Sequence, residues 1–243
     1  MDSIENRVIG YWTKRTDDFF GVRENELNDG ISGLWVKEFL NHIPNDKNLK
    51  ILDVGTGVGY FAILLGKKGY SVTGIDLTPS MINKAKFLAK KENVNVKYSV
   101  MDAQKLSFPN ESFDAVVSRN LTWTLPNAEA AYKEWFRVLK KGGVLLNFDA
   151  NYGRSVDKNA ADTDKNRPYG HNGITKELEE ENSYITKAMK INYKDRPNWD
   201  LNVLNKIGFK QCLADTGVGK RILMERDIKE SPLFKITARK GVC

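Results

Sequence analysis

Hydrophobic and polar positions alternate along the chain in a way that predicts strands and helices in turn. Short apolar runs are separated by stretches in which apolar residues recur every three or four positions, the spacing of one helix face. The predicted strands are 49–54, 71–75, 94–100, 113–118, 144–150, 210–215 and 233–238. Strands that alternate with helices indicate right-handed crossovers and a mostly parallel sheet that is buried on both faces.

Residues that favour helix ends bound several of the helical stretches. Thr78 is placed to cap a helix that begins at Pro79, because proline is favoured in the first helical turn. A helix after Pro126 is predicted to end at Gly142 and Gly143, because glycine is common where helices stop. Further helices are predicted at 59–68 and 200–207, and two more lie within 3–43.

The distribution of apolar residues divides the chain into three parts. Residues 1–44 form an N-terminal helical cap, and 45–150 together with 198–243 form the α/β core. Residues 151–197 are rich in Asp, Lys, Glu and Asn, and their apolar residues are few apart from tyrosines. We expect 151–197 to be an inserted lid that encloses a substrate, although its composition equally suits an ordinary polar segment.

Composition and charge narrow the class of protein only a little. A chain of 243 residues with 41% hydrophobic residues is long enough for one α/β domain with an added lid. The net charge of +7 could favour an acidic substrate, RNA or an anionic membrane surface, but the lysines are scattered, so a solvated surface is the favoured interpretation. Two cysteines, Cys212 and Cys243, support neither a disulfide framework nor a metal site.

No run of apolar residues is long enough to predict a membrane span or a signal peptide. We therefore expect a cytoplasmic protein.

A loop with glycine at every second position follows the first predicted strand. Gly55, Gly57 and Gly59 lie in "ILDVGTGVGYF", where glycine permits positive φ and leaves room for a ligand to approach the backbone. A nicotinamide dinucleotide-binding loop has the spacing G-x-G-x-x-G, whereas this chain has G-x-G-x-G. The spacing disfavours a nicotinamide-dependent oxidoreductase, which stays open as an alternative with the same fold.

Acidic residues follow the next two predicted strands. Ligands of open parallel sheets bind outside the carboxyl ends of the strands, which selects Asp76 and Asp102. Asp76 is placed to accept hydrogen bonds from both ribose hydroxyls, and Asp102 from an exocyclic adenine amine. Either carboxylate alone could be a helix cap or a solvated loop residue. With the glycine loop, the two predict an adenosine-containing cofactor.

Four segments together resemble a known family. "LDVGTGVGYF", "GIDLTPSMINKAK", "MDAQKLSFPNESFDAVVSRN" and "RVLKKGGVLL" are similar to the class I S-adenosylmethionine-dependent methyltransferases, especially the ubiquinone/menaquinone biosynthesis and small-molecule (type 11) branch. The resemblance covers about 45–150. It implies a doubly wound α/β fold, Rossmann-like, with a seven-stranded, mostly parallel sheet whose last strand is antiparallel and inserts beside the fifth.

The resemblance also implies a cofactor, S-adenosyl-L-methionine, with S-adenosyl-L-homocysteine as the product. It puts the glycine loop under the methionine portion, the two acidic residues at the ribose and the adenine amine, and Arg119 or Asn120 near the sulfonium. The segment "YWTKR" corresponds to an N-terminal helix that closes over the cofactor, although Trp12 could equally be core packing. The predicted cofactor-binding residues are Tyr11, Trp12, Arg15, Asp53, Gly55, Thr56, Gly57, Asp76, Leu77, Met81, Asp102, Ala103, Arg119 and Asn120.

Methyl transfer from a sulfonium depends mainly on positioning and on exclusion of water, so no catalytic side chain is required by the chemistry. If the acceptor must lose a proton, His171 is the candidate general base, with Tyr152 and Asp149 behind it. A lone histidine in a polar segment is more often simply exposed to solvent. These residues are therefore candidates for a role that the reaction does not demand.

The segment after the fourth strand bears on the class of substrate. It reads "SRNLTW" rather than the Asn/Asp-Pro-Pro-aromatic sequence of nucleic-acid amine methyltransferases, and no RNA-binding module is recognisable. We therefore expect a small-molecule acceptor and no nucleic-acid partner. An alternative is a module that binds S-adenosylmethionine or S-adenosylhomocysteine without turnover, since the same residues would serve both functions.

Overall fold

A computed structural model describes residues 3–152, 174–223 and 233–241. Within these ranges the helices and strands follow one another along the chain as the hydrophobic pattern predicts. In chain order they are α1 (Ile4–Leu27), α2 (Ile31–Leu40), β1 (Lys50–Val54), α3 (Tyr60–Lys67), β2 (Ser71–Asp76), α4 (Pro79–Lys91), β3 (Lys97–Val100), β4 (Phe113–Arg119), α5 (Ala128–Val138), β5 (Leu139–Ala150), α6 (Lys176–Ala188), α7 (Asn198–Ile207), β6 (Phe209–Asp215), α8 (Val218–Ile222) and β7 (Leu233–Lys240).

The strands form a single seven-stranded sheet in the order β3-β2-β1-β4-β5-β7-β6. Strands β1 to β5 pair in parallel, whereas β7 is antiparallel to both β5 and β6. The predicted fold class is confirmed, including a final strand inserted beside the fifth. Because the strand order reverses between β1 and β4, the carboxyl ends of these two strands open a crevice in which ligands of such sheets bind.

The end of α5 differs from the prediction. The helix stops at Val138, and β5 begins at Leu139 rather than at 144. The strand starts early because Leu139 already pairs with Phe113, and the ladder then shifts register before Val144 pairs with Ala115. Gly142 and Gly143 therefore lie within a strand irregularity and do not terminate the helix.

The third strand is shorter than predicted, because residues that the apolar pattern assigned to the strand belong instead to the turn that ends α4. Val94 donates its N–H to the carbonyl of Ala89, and Asn93 adopts a left-handed conformation with φ of +54°. These features close the carboxyl end of α4, so that β3 begins only at Lys97.

Two apolar layers cover the faces of the sheet. On one face, Trp35 and Phe39 of α2 pack edge to face against Phe61 of α3 and Phe148 of β5. The other layer is built around α5, and its largest fully buried side chains are Trp135 and Tyr132. No helix within the described ranges has the length and the apolar character needed to cross a bilayer.

The long helix α1 contributes Val8 and Tyr11 to the second layer and is fastened by polar contacts at two places. Its Thr16 hydroxyl lies 2.7 Å from the hydroxyl of Ser80 at the start of α4, and Lys84 and Lys91 of α4 form ion pairs with its acidic residues. Its first turns are joined to α6 by an ion pair between Arg7 and Glu181. These contacts hold α1 across the carboxyl edge of the sheet.

Candidate functional site

A cavity of about 540 Å³ lies at the carboxyl ends of β1 to β5, beneath α1 and α6. Every residue predicted to bind the cofactor lines this cavity, and so does Tyr152. The lining residues come from elements far apart in sequence, but parallel strands bring their carboxyl ends to one edge of a sheet. The cavity is therefore the candidate site.

The glycine loop between β1 and α3 forms one wall of the cavity. Gly55, Gly57 and Gly59 have φ of +68°, +54° and +90°, which side chains rarely adopt. A Cβ on Gly55 would also lie 2.8 Å from the Cδ atoms of Leu121, and one on Gly59 would lie 2.5 Å from the Tyr98 hydroxyl. The loop thus needs glycine for its own conformation, in addition to the room for a ligand that the sequence predicted.

Gly55→Ala is expected to destabilise the protein. Left-handed backbone costs a residue with a side chain about 1–2 kcal/mol, and Leu121 must also turn away. Gly10→Ala in α1 is the matched control, because its Cβ meets nothing within 4 Å and alanine favours a helix by about 0.5–1 kcal/mol. Urea unfolding of both variants measures the difference. A Gly55→Ala variant as stable as Gly10→Ala would contradict this account of the loop.

Asp53 stabilises the glycine loop through two hydrogen bonds. Its Oδ2 accepts hydrogen bonds from the Thr56 hydroxyl at 2.6 Å and from the Ala62 N–H at 3.1 Å. Burial raises the pKa of Asp53 to about 7, against the effect of these two donors. The contacts tie the loop to the first turn of α3, so Asp53 positions the loop in addition to lining the cavity.

The raised pKa of Asp53 predicts a pH dependence of stability. Between about pH 4, where an unfolded aspartate loses its proton, and pH 7, only the folded state retains it, so the free energy of unfolding falls as pH rises. Urea unfolding measures the free energies of unfolding of the native protein and of Asp53→Asn. The free energy of the native protein relative to the variant should fall as pH rises across this window and change little above it. A constant difference between the two proteins from pH 4 to pH 8 would contradict the assignment.

Asp76 ends β2 and faces the cavity beside the loop. Its Oδ2 accepts the Gly57 N–H at 3.0 Å and its Oδ1 accepts the Thr78 N–H at 2.9 Å. Thr78 occupies the predicted N-cap position before Pro79, but its side chain makes no capping hydrogen bond to the helix. These donors hold the carboxylate at the cavity, where its oxygens can also accept hydrogen bonds from hydroxyl donors of a ligand.

The adenine end of the predicted site lies one strand further out. Asp102 follows β3 and accepts the backbone N–H and the side-chain amide of Gln104 at its Oδ1, at 2.8 Å and 3.2 Å. Its neighbour Ala103 is buried, as is Met81 of α4. The pocket at this end therefore combines an acidic group with apolar walls, as a purine ring with an exocyclic amine requires.

The N-terminal helix contributes a polar pair and two rings to the cavity. Arg15 donates to the Tyr11 hydroxyl at 2.8 Å and to Asp18 at 2.8 Å. Trp12 packs edge to face against Tyr11 and Phe19 and also lines the cavity. Trp12 therefore both packs against neighbouring rings and lines the cavity, so the two interpretations of this residue are compatible.

Arg119 and Asn120, at the end of β4, have different surroundings. Arg119 donates to Glu26 of α1 at 3.1 Å, and its guanidinium lies 4.6 Å from the centre of the Trp35 ring. Asn120 has φ of +53°, and its side-chain Oδ1 is buried without a hydrogen-bond partner. A buried acceptor left unpaired in a strained residue is a mark of a ligand site, so Asn120 is the better candidate for contact with a cationic ligand.

Comparisons with known proteins agree with this geometry. Residues 52–147 match the family described as "Methyltransferase domain". The chain is 34% identical over 137 residues to the ubiquinone/menaquinone biosynthesis C-methyltransferase UbiE of Rickettsia bellii, a match that covers 53% of this chain and 55% of that protein. It is 40% identical over 102 residues to the 2-methyl-6-phytyl-1,4-hydroquinone methyltransferase of Synechocystis sp., covering 42% and 32%. The chain thus spans about half the length of the first relative and about a third of the second.

A solved structure shares the fold. The phosphoethanolamine N-methyltransferase 2 of Haemonchus contortus, in complex with S-adenosyl-L-methionine, matches with a TM-score of 0.59 at 19% identity, over 84% of this chain and 51% of that chain. The part of the chain that carries the glycine loop is thus similar to a methyltransferase domain. Its glycine loop, Asp76, Asp102 and Asn120 occur within the matched residues.

The residues predicted to support proton transfer have different outcomes. His171 lies outside the described residues. Asp149 is fully buried, does not line the cavity, and is bound by Arg196 and Thr122; its place behind a general base stays a prediction. Tyr152 lines the cavity with its ring 4.7 Å from that of Trp123. Burial raises the pKa of Tyr152, which keeps its phenol protonated at neutral pH.

Sequence reasoning missed several residues of the site. Arg23 and Tyr60 line the cavity on one side, and Asn182, Ser183 and Thr186 of α6 line it on the other. One signal was present in the sequence, because Tyr11, Arg15, Phe19 and Arg23 recur every four residues along α1, the spacing of a single helix face. The residues of α6 also share one helix face, since Asn182, Ser183 and Thr186 follow Glu179 at helical spacing, but only the packing of α6 places that face on the cavity.

Proposed function

We propose that the protein binds S-adenosyl-L-methionine in this cavity and transfers its methyl group to a small-molecule acceptor, with S-adenosyl-L-homocysteine as the other product. The observation that carries the proposal is the convergence of Asp76, Asp102 and the bare backbone of Gly55 and Gly57 on one cavity. The names of the curated relatives, both methyltransferases, support the same reaction class.

The described residues fit this cofactor in charge and in shape. The carboxylate of Asp76 suits the two ribose hydroxyls as an acceptor, and Asp102 suits the adenine amine. The unpaired Oδ1 of Asn120 suits a neighbouring positive charge, while the glycine loop leaves its backbone open to the amino-acid portion. When bound, the cofactor supplies a methyl group already activated by the sulfonium.

The chain's own residues would then contribute orientation and a dry site. Helix α1, fastened to α4 and α6, covers one side of the cavity, and α6 brings Asn182, Ser183 and Thr186 to its rim. Holding two reactants in line and excluding water accounts for a large part of the rate of such a transfer. We therefore propose that 151–197, of which α6 is a described part, forms the lid over the acceptor.

The test is a transfer reaction with cofactor labelled in the methyl group. The purified protein is incubated with labelled S-adenosylmethionine and a metabolite extract, and mass spectrometry follows labelled products and S-adenosylhomocysteine. Formation of both in equal amounts, and their loss with Asp76→Asn, is the expected result. Tight binding of S-adenosylhomocysteine without any labelled product would favour a binding module instead. Binding of NAD without binding of S-adenosylmethionine would favour an oxidoreductase.

A further inference from the structure

Two arginines and one glutamate form a charged cluster at the β4 side of the cavity. Arg23 of α1 and Arg119 of β4 both line the cavity and both donate to the carboxylate of Glu26, which is fully buried. We refer to Arg23, Glu26 and Arg119 as the arginine cluster. Among the described residues, two guanidinium groups thus share one carboxylate, and the cluster carries one positive charge in excess.

The excess charge is held where solvent is scarce. The side chains of Arg23 and Arg119 are only 8% and 12% exposed. Burial, followed by the repulsion from Arg119, lowers the pKa of Arg23, which is the physical sign of an incompletely balanced cation. Burying a charge without a full set of partners is costly, so such a cluster calls for an additional anion.

Two buried hydrogen-bond donors beside the arginine cluster have no partner among the described residues. The hydroxyl of Tyr60, a residue that is 3% exposed and lines the cavity, is buried without a partner, and so is the Nε of Arg119. Both donors lie beside the cluster, since the guanidinium of Arg119 is 5.6 Å from the centre of the Tyr60 ring. Guanidinium and hydroxyl donors around one cavity wall are the set that recognises a carboxylate.

The cluster stands apart from the groups assigned to the nucleoside. Asp76 and Asp102 follow β2 and β3, whereas Arg119 ends β4, on the other side of β1. Adjacent strands are about 4.8 Å apart, so Arg119 lies roughly 10 Å from the end of β2 and roughly 14 Å from that of β3. Tyr152 and Trp123, on the β5 side, complete this half of the cavity. This half is left for the acceptor when the nucleoside occupies the other.

We infer that the methyl acceptor carries a carboxylate, which binds between Arg23, Arg119 and the hydroxyl of Tyr60. The inference rests on the proposed function, because it assigns the opposite half of the cavity to S-adenosylmethionine. The other source of a carboxylate is the methionine portion of the cofactor itself. Both sources have the same chemistry, and the experiment distinguishes them.

The first measurement compares benzoate with benzamide, its neutral analogue of nearly the same shape, as probes of the acceptor half. Each is titrated into the full-length protein, with and without saturating S-adenosylhomocysteine, and tryptophan fluorescence or ligand-detected NMR reports binding. We expect benzoate to bind at least tenfold more tightly than benzamide. Equal affinities for the two probes would overturn the inference.

Substitutions test whether the arginine cluster causes the preference for benzoate over benzamide. Arg23→Gln should abolish the preference for benzoate, and it leaves Arg119 and Glu26 as a balanced pair, so the fold should tolerate it. Arg221→Gln is the matched control, because Arg221 is half-exposed and outside the cavity, and it should leave the preference unchanged. Glu26→Gln adds net positive charge and should increase the preference. A preference that survives in Arg23→Gln would overturn the assignment. If that variant fails to fold, Arg119→Gln, which leaves Arg23 and Glu26 as a balanced pair, should abolish the preference instead, and a surviving preference would again overturn it.

A comparison of two nucleosides separates the two sources of carboxylate. S-adenosylhomocysteine carries the amino-acid carboxylate, whereas 5′-methylthioadenosine lacks it. If the cluster binds the acceptor, Arg23→Gln changes the affinity for both nucleosides by less than about threefold. A loss of tenfold or more for S-adenosylhomocysteine alone would assign the cluster to the cofactor and overturn the inference. Failure of the native protein to bind either nucleoside would refute the proposed function, while the probe titrations without nucleoside would still test the carboxylate site.

Discussion

Replacing Arg196 with methionine is expected to lower the free energy of unfolding by about 3–5 kcal/mol, the cost of removing one partner from a buried ion pair. Arg196 is completely buried and donates to Asp149 of β5, Asp200 of α7 and the hydroxyl of Thr122. Although burial disfavours its charge, Asp149 and Asp200 raise the pKa of Arg196. Without the guanidinium, the two buried carboxylates would have no cation between them and would keep only neutral donors, such as the hydroxyls of Thr122 and Tyr132.

The loss of stability in Arg196→Met should depend on pH. In Arg196→Met the buried Asp149, whose pKa burial already raises, loses the attraction of Arg196 and can relieve its repulsion with Asp200 by binding a proton. The folded variant then binds more protons than the unfolded chain, so its stability should recover as pH is lowered. Urea unfolding at pH 5 and pH 8 measures both effects, and the deficit relative to the native protein should be smaller at pH 5.

Lys133→Met provides the control for Arg196→Met. Lys133 forms an ion pair with Glu129 on the exposed face of α5, where both side chains are at least half exposed. Exposed pairs of this kind contribute about 0–1 kcal/mol, so the variant should unfold almost as the native protein does. A deficit for Arg196→Met no larger than that of the control would contradict the role of the buried network.

Asp76→Asn is expected to weaken the binding of S-adenosylhomocysteine by about 1.5–3 kcal/mol, or roughly tenfold to a hundredfold. The change removes the charge that would hold the ribose hydroxyls. It also turns one amide donor toward either Gly57 or Thr78, whose N–H groups Asp76 now accepts. Calorimetry with S-adenosylhomocysteine and with adenosine measures the effect, and both ligands should lose affinity because both contain the ribose.

Asp114→Asn is the matched control for this experiment. Asp114 also accepts a backbone N–H, that of Lys50 at 2.9 Å, but it lies near the amino end of β4, at the opposite edge of the sheet from the cavity. It should leave the affinity for both ligands unchanged. Unaltered binding in Asp76→Asn, with the fold verified by circular dichroism, would refute the ribose assignment and remove the main support for the proposed cofactor site.

The strands and most of the site were predictable because both follow from local sequence and one general property of parallel sheets. Hydrophobic alternation gave β1, β2 and β4 to within about a residue at each end, since burial on both faces leaves few other patterns. Asp76, Asp102 and Asn120 then meet at one cavity because every parallel strand ends at the same edge. The end of α5 was predicted wrongly, because pairing of Leu139 with Phe113 prevails over the local preference of glycine for helix ends.

Partners that are distant in sequence were not predictable. Glu26 and Arg119 are separated by 93 positions, and Asp149 and Arg196 by 47. Nothing in the spacing of these residues distinguishes a charge that will be buried and paired from one that remains in solvent. Asp149 was therefore predicted near the reaction, and Arg119 near the sulfonium, without any sign of their partners Arg196 and Glu26.

The sequence by itself determined the order of strands and helices, the glycine loop and the acidic residues that end β2 and β3, because these depend on periodicity and on residues close in the chain. Tertiary structure alone decided which charges pair, which donors are left unpaired and that the face of α6 encloses the cavity. The physical reason is that charge pairing and burial depend on distances in space. Folding brings together residues that are far apart along the chain, and their separation in sequence does not indicate which of them will be in contact.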